Sequence, residues 1–137
     1  MNNHHDVLRE IIDLFVYPSS KKRIVYLWEK PKRRAQLLDE LLHCAAEFRD
    51  DRCIKLVPPL EDPALVAQRM RKLGAGKTCF VFGWSEWDGQ EADLDLALAE
   101  VVGRQCESML YCRKSQVAFV EEHDGHQFLL HMKPSVR

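Results

Sequence analysis

The chain has 137 residues, of which 46% are hydrophobic and 30% charged, and its formal net charge at pH 7 is -1. This composition excludes an intrinsically disordered chain, because such chains combine low hydrophobicity with a high net charge. The near-neutral charge also provides no overall attraction to nucleic acid or anionic lipid. We expect residues 1–137 to form a single globular domain, with residues 133–137 as a loose tail.

The terminal sequence and the cysteine residues indicate a soluble, cytoplasmic protein. No apolar run is long enough to span a bilayer, and residues 1–10 lack the basic and apolar segments of a secretory signal. The odd number of cysteines and the lack of a Cys-x-x-Cys pair argue against a disulfide framework or a structural zinc site. We therefore expect five free and mostly buried thiols in a reducing compartment, at Cys44, Cys53, Cys79, Cys106 and Cys112.

Hydrophobic periodicity and turn residues predict an α+β (mixed α/β) fold, with one mixed sheet covered by helices. The predicted order is α-β-α-β-α-β-α-β-β-β. Single helices between strands favour parallel pairing through right-handed crossovers, whereas the last three strands predict an antiparallel meander. The predicted elements are helix 5–16, strand 23–28, a helix starting at 31, strand 53–57, a helix starting at 63, strand 78–82, helix 91–102, and strands 108–112, 116–122 and 126–132.

The turn between the last two predicted strands carries two histidines. Asp124-Gly125 between apolar runs predicts a two-residue turn with positive φ at both positions, which pairs His123 with His126. Their Cβ atoms would then lie about 5 Å apart. With Glu121 as an oxygen donor they form a weak candidate metal site. A solvated polar turn explains the same residues, and we favour it, so we predict no metal and no cofactor.

Acidic residues are concentrated at the predicted start of the fourth helix. Acids in a first helical turn interact favourably with the positive end of the helix dipole. Paired carboxylates could instead bind a divalent cation or perform acid–base chemistry. The spacing matches no calcium loop, so we favour the helix-start interpretation for these residues, which are Glu86, Asp88, Glu91, Asp93 and Asp95.

Two tryptophans, Trp84 and Trp87, follow the predicted strand 78–82. In open α/β sheets, ligands bind outside the carboxyl ends of the strands. We therefore consider that these indoles, with Glu86 and Asp88, line a pocket or an interface. The alternative, which we favour, is that they cap the edge of the core.

The basic segment 30–34 is the strongest candidate site in the sequence. A proline at the first helical position places Lys32, Arg33 and Arg34 in the first turn, where positive charge opposes the helix dipole. The other predicted helices begin with acids, so this exception indicates a function. With Lys30, these cations and the helix-start amides could bind an anion or a partner. A solvated face is the alternative, with Glu29, Asp39 and Glu40 partly neutralising the segment.

These features favour a non-enzymatic protein-interaction or regulatory module with separated basic (30–34) and acidic (86–95) patches. The alternative is an enzyme or binder that recognises a phosphate or carboxylate ligand where a strand ends and a helix starts. No nucleophile–base pair can be argued from the sequence, so we lean towards a domain without catalysis. We expect a protein partner and no membrane partner, and the acidic patch argues against nucleic acid.

Overall fold

Six antiparallel strands form the central layer of the fold, which a computed structural model describes for residues 3–43 and 46–132. The strand order is β1-β6-β5-β4-β2-β3. The strands are β1 (Cys53–Leu56), β2 (Thr78–Gly83), β3 (Glu91–Asp93), β4 (Ser108–Cys112), β5 (Val117–Glu121) and β6 (Gln127–Leu130). The helices in the described residues are α1 (Asn3–Phe15), α2 (Pro18–Trp28), α3 (Arg34–Leu42), α4 (Pro63–Lys72) and α5 (Leu94–Val101).

Helices cover both faces of the sheet, so the core has two halves. Alternate residues of a strand point to opposite faces. Accordingly, Val120 packs with α1, α2 and α3, whereas its neighbour Phe119 packs with α4 and α5. All five residues of β4 and all five of β5 are buried. The expected α+β class is therefore correct, with the two most central strands enclosed between helical layers.

The first helix agrees with prediction, but the predicted strand 23–28 is wrong. These residues belong to α2, with Pro18 at its start. Ile24 and Leu27 are buried and Trp28 is partly buried, while Tyr26 is 52% exposed. Spacings of three and four residues place the buried side chains on one helical face. Packing of that face overrides the strand preference of β-branched and aromatic residues.

Three other helices begin close to the predicted places, with shifted boundaries. Pro31 opens a 3-10 turn, Pro31–Arg33, that continues into α3. The helix ends at Leu42, although Phe48, beyond it, is also buried. Asp62 caps α4 as expected, accepting a hydrogen bond from the amide of Ala64 at 2.9 Å. Helix α5 begins at Leu94 rather than at residue 91, because Asp93 is its N-cap and residues 91–93 form an edge strand.

The sheet has no parallel pair among the described strands, contrary to our expectation of a mixed sheet. Every pairing is antiparallel, including the contact of β1 with β6 at one edge and of β2 with β4 near the other. The predicted meander of β4, β5 and β6 is confirmed. Because residues 23–28 are helical, α1, α2 and α3 follow one another without a strand between them. The predicted strand–helix–strand connections, which would have given parallel pairs, therefore do not form there.

The turn between β5 and β6 has three residues rather than two. The amide of Gly125 donates to the carbonyl of Glu122, and the amide of Glu122 donates to the carbonyl of His126. Only Gly125 has a positive φ in this turn, as in a type I turn followed by a left-handed residue. Glu121 therefore pairs with Gln127 instead of Phe128. A shift of one residue places Phe119 and Leu130, predicted to share a face, on opposite faces.

The described cysteines are free, and Cys79 and Cys112 are buried in the sheet as expected. Cys44, predicted on the apolar side of a helix, and the predicted tail 133–137 lie outside the described residues. Within the part of the chain that the structure describes, no helix is long and apolar enough to cross a membrane.

Candidate functional site

The basic segment lies in the connection between α2 and α3. It follows a helix, so the argument that placed it at the carboxyl end of a strand is wrong. Its first turn carries no acid, as predicted, but neither does the first turn of α2. The lack of an acid at a helix start is therefore not unique to the basic segment, and only its contacts distinguish it from other helix starts.

Lys30, Pro31, Lys32, Arg33 and Gln36 line a surface groove of about 530 Å³, which we call the basic groove. Arg33 donates a hydrogen bond to the side-chain oxygen of Gln36 at 3.1 Å. Within residues 3–43 and 46–132, no carboxylate forms an ion pair with any of the three cations in the groove. Their positive charge is therefore balanced mainly by solvent.

Of the acids expected to neutralise the basic segment, Glu40 contacts the groove through Gln36, whose side-chain amide donates to it at 3.2 Å. Glu40 forms an ion pair with Arg23 on α2, and Arg23 also contacts Glu47 at 2.8 Å. Beside the groove, the ammonium nitrogen of Lys30 lies 5.2 Å from the ring centre of the half-exposed Tyr26. An exposed aromatic ring next to unpaired cations is a composition typical of binding surfaces.

Arg34 differs from its neighbours because it forms a bidentate ion pair with Asp88. The two hydrogen bonds measure 2.8 and 2.9 Å, and the same carboxylate accepts a bond from the amide of Gly83 at 3.0 Å. The basic and acidic patches therefore meet at this pair. Asp88 anchors the loop after β2 rather than the start of α5, and Arg34 is not a free cation of the groove.

A second cleft, of about 380 Å³, adjoins the basic groove and shares Lys30 and Pro31 with it. The ring of His4 stacks on Phe82 with centroids 4.2 Å apart, and its Nε2 lies 3.1 Å from the carbonyl oxygen of Val81. Because a carbonyl only accepts, Nε2 carries the proton in this bond. Burial lowers the pKa of His4. The other lining residues include His5, Leu8, Leu27, Trp28, Arg34 and Leu37.

Trp84 and Trp87 do not form one pocket with the basic groove. Trp84 is 52% exposed, and its indole N–H donates to a carboxylate oxygen of Glu107 at 3.1 Å. Trp87 packs partly buried against the core half under α4 and α5. The two tryptophans also do not lie at a shared carboxyl edge of parallel strands, because the strands that neighbour β2 run in the opposite direction. Glu86 is exposed.

The hairpin histidines separate into two clusters, so His123, His126 and Glu121, the weak candidate metal site of the sequence, do not come together as one site. His123 lies beside His43 and Glu107, with both Nδ1 atoms 3.2 Å from the same oxygen of Glu107. His126 instead lies 3.4 Å from a carboxylate oxygen of Glu122 and 3.1 Å from one of Asp124. The three-residue turn is the cause, because it removes the direct cross-strand pairing of the two histidines.

Glu121 has a structural role within the hairpin. It is 1% exposed, and its two oxygens accept hydrogen bonds from the amides of Gly103 and Gln105 at 2.9 and 2.8 Å. The side-chain amide of Gln127 donates to it at 2.9 Å and also bonds the backbone of Leu60. This buried network connects three loops and engages both carboxylate oxygens of Glu121 in hydrogen bonds.

Sequence reasoning missed His43 and Glu107, which complete the cluster at His123. They lie 64 residues apart and belong to the end of α3 and to the residue before β4. The sequence signal for Glu107 was Gly83 at the end of a strand, since a glycine in a strand often marks a place where another backbone approaches closely. The approaching backbone here is that of Glu107.

The comparisons with known proteins offer no analogy for these sites. Comparison with protein-family models, with curated proteins and with solved structures gives no match. The function therefore has to be argued from the contacts, burial and charges of the residues themselves.

Proposed function

We propose that this chain is a non-enzymatic interaction module whose basic groove binds an acidic segment of a protein partner. The observation that carries the proposal is the presence of Lys30, Lys32 and Arg33 in one groove, without a carboxylate partner among the described residues. Such unpaired cations steer an oppositely charged partner and increase the rate of its association.

The character of the groove supports a protein partner over a small ligand. Lys30, Lys32 and Arg33 are all exposed, whereas small-molecule sites usually enclose the ligand and orient it with fixed polar groups. Tyr26, half-exposed at the edge of the groove, adds an aromatic contact of the kind that contributes strongly to interfaces. The free thiols support a location in the reducing cytoplasm.

The neighbouring cleft favours a second candidate, a binder of a small anionic molecule. Apolar side chains, among them Leu8, Leu27 and Trp28, line it together with Arg34, Asp6 and the histidines His4 and His5. A ligand with an apolar body and one phosphate or carboxylate would match this lining. The pairing of Arg34 with Asp88 weakens the candidate, since an anion would have to share the guanidinium.

Charge reversal in the groove tests the first proposal. We expect an octaglutamate peptide to shift the backbone amide resonances of residues 30–36, and Lys32→Glu with Arg33→Glu to abolish those shifts. Both residues are exposed and unpaired, so the stability of the fold should change by less than about 0.5 kcal/mol. The measurement is a peptide titration followed by amide NMR, at low and at moderate salt, together with a urea curve for each protein.

A matched control separates the groove from net charge. Lys72→Glu with Lys114→Glu makes the same change in charge at exposed positions outside the groove, and should preserve the peptide-induced shifts. Equal loss of binding in both double variants would contradict a localised site. If inorganic phosphate shifts the cleft residues while the peptide shifts none in 30–36, the small-ligand candidate replaces the first.

Arg34 should be left unchanged in this test. The helix dipole by itself favours acidic residues at positions 33 and 34 over arginine. In the structure, Arg34→Glu would instead bring a carboxylate against Asp88 and break a bidentate ion pair, so we expect destabilisation.

A further inference from the structure

We propose that His43, Glu107 and His123 bind a divalent transition-metal ion, with Zn²⁺ as the test ion. This site is separate from the basic groove, because it lies beyond the carboxyl end of α3, whereas the groove lies at its amino end. The three donor atoms all lie within 4.8 Å of one another. Two imidazoles with one carboxylate are a donor set that Zn²⁺ and its neighbours in the first transition row accept.

The distances within the cluster suit the ligands of one ion. Each Nδ1 lies 3.2 Å from the same carboxylate oxygen of Glu107. In a tetrahedron with metal–ligand bonds of about 2.0 Å, neighbouring ligand atoms are separated by about 3.3 Å. The two rings lie nearly parallel, with centroids 4.7 Å apart, so one half-exposed imidazole has to rotate for both ring planes to contain the ion.

Glu107 is held in place independently of the histidines. Its side chain is 11% exposed, and the oxygen that does not face the histidines accepts the indole N–H of Trp84. Hydrogen bonds from residues that are not themselves ligands commonly orient the ligands of metal sites. The carboxylate is therefore presented with one oxygen fixed and the other directed at both imidazoles.

The backbone at Glu107 has a conformation that side chains rarely adopt. Its φ is +52°, and that of Gln105, two residues earlier, is +55°. Such conformations concentrate at functional sites. Gly83 permits this one, since its lack of a Cβ allows the carbonyl of Glu107 to approach. The strained segment is independent support for a ligand role at Glu107.

The cluster is open to a cation, because one carboxylate oxygen of Glu107 lies against both imidazoles. A divalent ion would interact with this carboxylate as well as with the two ring nitrogens. His43 and His123 are about half exposed, so an ion can enter from solvent and water can complete its coordination.

The second cluster, Glu122, Asp124 and His126, serves as the contrast. Its donor atoms are also close together, but it has only one imidazole. Oxygen-rich sets suit Mg²⁺ and Ca²⁺ better than Zn²⁺. In addition, Asp124 already accepts a hydrogen bond from the amide of His126 at 3.1 Å. The two clusters share the hairpin, so substituting a histidine in each distinguishes them.

Titration of the full chain with Zn²⁺ by calorimetry is the test. We expect one ion per chain, and at least about tenfold weaker binding in each of His43→Ala, His123→Ala and Glu107→Gln. His126→Ala should bind like the wild type. Glu107→Gln keeps the size of the side chain, and an unfolding curve without metal for each variant shows that the fold is intact.

Cobalt provides an independent measurement of the ligands. We expect Co²⁺ to give a visible spectrum of nitrogen and oxygen ligation without the charge-transfer band of a thiolate. In protein labelled with ¹⁵N-histidine, we expect Zn²⁺ to shift the Nδ1 resonances of two residues. The proposal is overturned if wild-type protein fails to bind Zn²⁺ at millimolar concentration. It is equally overturned if His126→Ala weakens binding as much as His123→Ala, if the three triad variants bind like wild type, or if a thiolate band appears.

Discussion

A Cβ atom on Gly83 would lie 2.2 Å from the carbonyl oxygen of Glu107 and 2.8 Å from the Cα of Ser108. Real Cβ atoms do not approach backbone atoms so closely, and here the neighbours are the first residue of β4, which pairs with β2, and the residue before it. The φ of Gly83, +127°, is also unfavourable for any other residue. One glycine therefore determines how the residue before β4 approaches the end of β2.

We predict that Gly83→Ala destabilises the protein by about 2–4 kcal/mol, through overpacking and backbone strain together. Gly103→Ala is the matched control, because Gly103 also has a positive φ but no atom within 4 Å of a built Cβ. Its expected cost is the strain alone, about 1 kcal/mol. Urea unfolding of the two variants measures the difference, and equal losses would show that the contact with Glu107 is unimportant.

At the level of residues, the sequence identified several participants but not their partners. Arg34, Asp88, Trp84 and His123 were all selected for their chemical type. Their contacts join residues 54 apart for Arg34 and Asp88, and 23 apart for Trp84 and Glu107. The preference of helix starts for acidic residues depends only on neighbouring positions, so it does not indicate which distant residues form a contact. The pairing could be determined only once the topology placed the loops together.

Helix α2 shows why element assignment failed in one place and succeeded elsewhere. Residues 24–28 have high strand propensity, and Pro18, which can end a helix as well as start one, is the first residue of α2. The helical pattern is visible only if Tyr26 is treated as exposed. In contrast, α1 and α4 carry five and three buried residues at consistent helical spacing, so their periodicity was decisive.

The helical assignment of α2 predicts unequal effects of substitution at neighbouring positions. Ile24→Ala should destabilise the protein by about 2–5 kcal/mol, because Ile24 is fully buried in the core half under α1 to α3. Tyr26→Ala should cost less than about 0.5 kcal/mol, since that side chain is half-exposed. In a strand covered on both faces, both changes would be severe. Chemical unfolding of the pair therefore tests the assignment directly.

Across the whole molecule, the sheet separates two core halves, and both are closed to solvent at the central strands. Cys79 and Cys112 lie in the half under α4 and α5. Burial raises the pKa of Cys112 to about 11 and moves the pKa of Cys79 further upward. Because the thiolate is the reactive form, both residues should be poor nucleophiles at neutral pH while the protein is folded.

We predict that Cys79 and Cys112 resist iodoacetamide until the whole protein unfolds. Cys106, which is partly exposed, is the internal comparison and should react in the native state. Pulse alkylation across a urea series, read by mass spectrometry, should give one midpoint for both buried thiols that coincides with global unfolding. Labelling of Cys79 without urea, at the rate seen for Cys106, would contradict an intact core half.

The pairing of β1 with β6 has a consequence for the order of folding. Cys53 lies opposite Leu130, whereas β4, β5 and β6 are joined by short turns. The entropy lost on closing a loop grows with the logarithm of its length. The hairpins of the meander are therefore the least expensive contacts to form, and β1 adds to them across a closure of 77 residues. We therefore expect β1 to pair after the β5–β6 turn has formed, and until then the free edge of β6 is open to other chains.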